Sequence, residues 1–63
     1  SHPEARLAFA ARKASQDVQK MRELRRELEL QGASKEAIRD MDQRMVRRME
    51  LFNELVGRTV GAS

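Results

Sequence analysis

Cysteine, tryptophan and tyrosine are absent from this 63-residue chain, and histidine occurs once, as His2. Without cysteine no disulfide can staple the fold, and with one histidine a metal site lacks ligands, so no metal or cofactor is expected. The missing thiols fit a reducing compartment, and the expected location is cytoplasmic. Phe9 and Phe52 are the only aromatics. Such a composition disfavours a β-sheet protein and leaves no platform on which nucleic-acid bases could stack. Gly32, Gly57 and Gly61 stand apart from one another and form no phosphate-cradling loop. The longest apolar run, Leu7 to Ala11, is too short for a transmembrane span or a signal-peptide core, so the chain reads as soluble with no membrane partner. It opens on Ser1-His2 without an initiator Met; ordinary terminal processing and a remnant in front of an excised piece both fit.

Enzyme chemistry is excluded on the same grounds. No Ser is placed with a plausible base, and His2 sits alone at a chain end. Glu36, Asp40 and Asp42 could imitate a carboxylate site, but they fall in the first turns of a helix, where the dipole favours negative charge. No catalytic residue and no small-molecule substrate is expected.

What is present favours helix: 37% of the residues are charged, Arg outnumbers Lys, and the formal net charge is +3 with both signs interspersed. Pro3 suits the first turn of a helix, with Ser1 or His2 as cap and Glu4 near the positive dipole end. Leu7, Ala11, Ala14, Val18, Met21, Leu24 and Leu28 recur at spacings of three and four, giving a helix from about 3 to 31 with one apolar face. Ile38, Met41, Met45, Met49, Phe52 and Val56 repeat the device from about 35 to 56, and the Met ladder is expected to pack as ordinary core. Between the two stripes, Gly32 can adopt the left-handed conformation that stops one helix while Ser34 caps the next. Gly57 is the expected second stop, leaving 57–63 as a frayed tail, with Val60 extending the stripe only if the helix persists.

A turn over 32–34 forces the helices back on each other, so the expected fold is all-α, an antiparallel two-helix hairpin occupying 1–63 as a single unit. Folding at the turn sets Leu28 opposite Ile38, Met21 opposite Met45, Val18 near Met49, and the Ala10, Ala11 and Ala14 cluster opposite Phe52, Leu55 and Val56. Arg25 interrupts the first stripe at the level of Asp40 to Asp42. Either its stem covers apolar surface while the guanidinium reaches water, or it pairs with Asp42 and fixes the register.

A chain this short buries a limited fraction of its surface, and a lone hairpin is marginal. Phe9 and Leu30 fall off the first core face, and Leu51 and Leu55 widen the second, so these four are the expected protein interface. Burying them calls for a four-helix bundle, formed by dimerisation or by packing in a larger assembly. The expected function is a protein–protein interaction or oligomerisation module, pairing with itself or with helices of a parent protein. The alternative is a small basic nucleic-acid-binding module in which Arg44, Arg47 and Arg48 grip phosphates. Binding of that kind is expected to be weak, since Glu23, Glu27, Glu29, Glu50 and Glu54 dilute the positive field. Two helices also fall short of a helix-turn-helix domain, and the charges form no continuous block as in a basic zipper.

Overall fold

The computed structural model describes residues 2–62, with nothing assigned to the Ala62 side chain. Two helices, α1 (Pro3–Leu30) and α2 (Lys35–Ala62), pack against each other in a rod with principal extents of 46 × 14 × 14 Å. They run antiparallel, because Arg25 meets Asp42 while the earlier Asp17 meets the later Arg48.

The turn between them follows from two residues. Gly32 has φ of +75°, the only positive φ among the described residues. In that conformation its N–H reaches Glu29 O at 3.1 Å and the Ala33 N–H reaches Leu28 O at 2.9 Å, the paired bonds of a Schellman closure. Ser34 then opens α2: its Oγ accepts the Ala37 N–H at 3.1 Å, satisfying one of the orphan donors of the first turn. At the other start, His2 is extended and its side chain makes no capping bond; the possible cap Ser1 lies outside the described residues.

The second helix does not stop at Gly57. It runs to Ala62, and Gly57 and Gly61 have no positive φ. Glycine permits a left-handed stop without enforcing one, and here α1 extends back to Pro3, so the last turns of α2 still have a helix to pack on. Thr59 is half-buried there, its hydroxyl donating to Leu55 O at 2.9 Å. A Cβ added at Gly57 would meet nothing within 4 Å. Gly57→Ala should therefore raise stability by about 0.5–1 kcal/mol, and a lower melting temperature for this variant would argue against helical backbone there.

The core is thin. Ala11, Ala14, Val18 and Leu55 are its buried members, and among the described residues no large side chain is completely shut off from solvent. Leu7, Met21, Leu28, Ile38, Met41, Met45 and Phe52 are half-buried along the same seam. Leu24, Met49 and Val56 were expected in the stripe but are 50%, 43% and 38% exposed. Two helices bury only the line along which they touch, so residues on the flanks of each stripe stay in water.

Candidate functional site

The two helices leave a surface uncovered on either side of their seam. On one side Phe9, Lys13, Asp17, Arg48 and Leu51 surround a groove floored by Ala10, Ala14 and Leu55. Phe9 is 63% exposed and Leu51 37%. Leu55 corrects the expectation that placed it on an outer interface: it is buried in the hairpin itself. The cause is the small Ala10, Ala11 and Ala14 on α1, which let the helices approach until the Leu55 side chain is enclosed. Leu30 lies well away from this groove, at the end of α1 beside the turn, and is 81% exposed. Phe9 and Leu51 thus come together, Leu55 lies beneath them, and Leu30 stands apart.

The arginines continue along that side. Arg44, Arg47, Arg48 and Leu51 share a shallow depression with Met21. Arg48 crosses the seam to Asp17 at 3.8 Å, and Arg44 pairs with Asp40 one helical turn earlier at 3.4 Å. Arg47 makes no ion pair among the described residues. Exposed pairs of this type contribute little, but each removes a guanidinium from the set free to meet phosphate.

Arg25 takes the sharper of its two roles. Its Nε donates to Asp42 Oδ1 at 2.5 Å and its Nη2 to Oδ2 at 3.3 Å, while Nη1 donates to Glu29 Oε1. This two-pronged contact between helices needs one register, since sliding either chain by a turn would separate the pair. The hydrogen bond that Arg25 donates to Asp42 raises the Arg25 pKa further, against partial desolvation, with the charges of Asp42 and Glu29 adding to it. A group whose folded pKa is raised contributes fully below its unfolded value, so the guanidinium's contribution to this link is constant across neutral pH and falls away in strong alkali.

Comparison with known protein families, curated proteins and solved structures finds no match. The surface has to be interpreted from its own chemistry.

On the other side of the seam the lining changes character. Ser15, Gln19, Met49, Phe52 and Asn53 border a groove that ends at Arg22, and beyond it lie the Arg25, Glu29 and Asp42 contacts. Val46 is 51% exposed, Met49 43%, Val56 38% and Val60 68%. Among these, Val46 was absent from the expected interface and Met49 and Val56 were assigned to the core. The signal that finds them is a second set of spacings, 46, 49, 53, 56 and 60, running beside the first. No helix among the described residues is long and apolar enough to cross a membrane.

Proposed function

We propose that this chain is a non-enzymatic protein–protein interaction module, a helical hairpin that other helices complete. One observation carries the proposal: among the described residues the buried ones are three small or medium side chains and Leu55, while Phe9, Leu24, Leu30, Val46, Met49, Leu51, Val56 and Val60 remain exposed. A core of this size is marginal for a chain of 63 residues, and apolar surface spread along a rod is the usual mark of a partner. Arg44 and Arg48, engaged with Asp40 and Asp17, favour this over the phosphate-binding alternative.

Sedimentation equilibrium at micromolar concentration should show at least a dimer, and the melting temperature should rise with concentration. A stable monomer whose melting is independent of concentration would refute self-association. The same preparation should bind duplex and single-stranded oligonucleotides no more tightly than the roughly 10⁻⁴–10⁻⁶ M of non-specific contacts at physiological salt. Nanomolar binding lost on joint replacement of Arg44, Arg47 and Arg48, with helix content intact, would instead make the arginine side the functional one.

A further inference from the structure

Within the interaction reading, we infer that the occupant of the Met49–Asn53 side is a second copy of this chain, packed face to face to close a four-helix bundle. The residues of α2 that face α1 fall at 38, 41, 45, 48, 52, 55 and 59, a heptad alternation of three and four. Six of them are buried or half-buried and the seventh, Arg48, is tied to Asp17. Val46, Met49, Asn53, Val56 and Val60 keep the same alternation in water. At 3.6 residues per turn this second seam lies roughly 90° around α2 from the first. Helices at the corners of a square bundle contact their two neighbours at about that angle, so α2 is patterned for one more helix than the hairpin supplies.

Two features select a second copy as that helix. From Val46 to Val60 the exposed seam contains no charged residue, and the charges that bound it, Arg39 and Asp42 on α2 and Arg22 on α1, lie toward the turn, so an antiparallel two-fold pairing of identical faces keeps them from their own copies. The Phe9–Leu51 side differs: Lys13, Arg44, Arg47 and Arg48 would confront their own copies there. Bulk is complementary as well, because α1 offers half-buried Ala8 and Ser15 at its edge of the face, small residues that can receive Val and Met from a partner.

Asn53, exposed at the middle of the seam, has a part in this arrangement. A single polar residue in an apolar heptad seam costs affinity and restricts register and copy number. The groups across the interface that could satisfy its amide are uncharged: Ser15, Gln19 or Asn53 of the second copy.

Asn53 also provides the test, because it is exposed in the hairpin and its replacement leaves the intramolecular core alone. Measured by sedimentation equilibrium on the full chain, Asn53→Val should tighten self-association about tenfold or more and admit higher oligomers, whereas Asn53→Lys should weaken it by at least as much. Leu51→Glu, on the other side, should leave it within about threefold of the parent chain. Circular dichroism should show unchanged helix content in the Asn53 variants. Association that ignores both Asn53 changes but collapses with Leu51→Glu would overturn the assignment of this face while preserving the interaction reading. A parent chain that is monomeric throughout would overturn self-association itself.

Discussion

Replacing Leu55 with Ala should cost about 2–5 kcal/mol, a loss comparable with the entire stability expected of so small a chain. Leu55 is the one large side chain in the buried set, 8% exposed and seated among alanines that cannot expand into the space it would vacate. Ala11 and Ala14 are fixed in size, so the cavity would persist unless the helices moved together along their length. The expected outcome is an early, shallow thermal transition in far-UV circular dichroism, with helix content already reduced at room temperature. Leu51→Ala, one helical turn earlier on the groove rim, should cost much less. If the two variants melted together, the enclosure of Leu55 would be refuted, and with it the close approach of the helices at the alanine cluster.

The next largest effect is expected at the turn. A valine at position 32 would have to adopt a φ near +75°, where its branched Cβ is strained, and Gly32→Val should destabilise the hairpin by about 1 kcal/mol or more. The strain is one of backbone alone, since a Cβ there would meet nothing within 4 Å. Gly32→Asn should be milder than Gly32→Val, as Asn tolerates the left-handed region. That order distinguishes a backbone effect from a loss of packing. Unchanged melting in the valine variant would remove the Schellman closure and revive a single continuous helix, with two chains pairing along their full length.

The ends and contacts of the hairpin were legible to different degrees. The turn was readable because Gly32 and Ser34 act locally: one backbone conformation and one hydroxyl suffice, and both bonds are made within a few residues of each other. Register was readable too, through the pairing of small with large residues at Ala14 and Leu55. Gly57 misled because a helix end depends on what lies beside it. Its neighbours on α1 reach back to Pro3, and a glycine that would end an isolated helix is carried through by packing.

Sequence alone determined that the chain is helical and where it turns, because spacing, capping and turn chemistry are properties of a few adjacent residues, but it assigned Met49 and Val56 to the α2 stripe where the structure turns Leu55 and Thr59 inward. It left open whether Arg25 paired with Asp42 or reached water, and it could not rank the apolar residues outside the stripe. Tertiary structure decided those points, since the distance between two helices depends on the summed bulk of both. Alanines on α1 drew α2 close enough to enclose Leu55. The same approach left Met49 and Val56 in water beside Val46 and Asn53, and the apolar groups of α2 were thereby divided between a seam already filled and one still open.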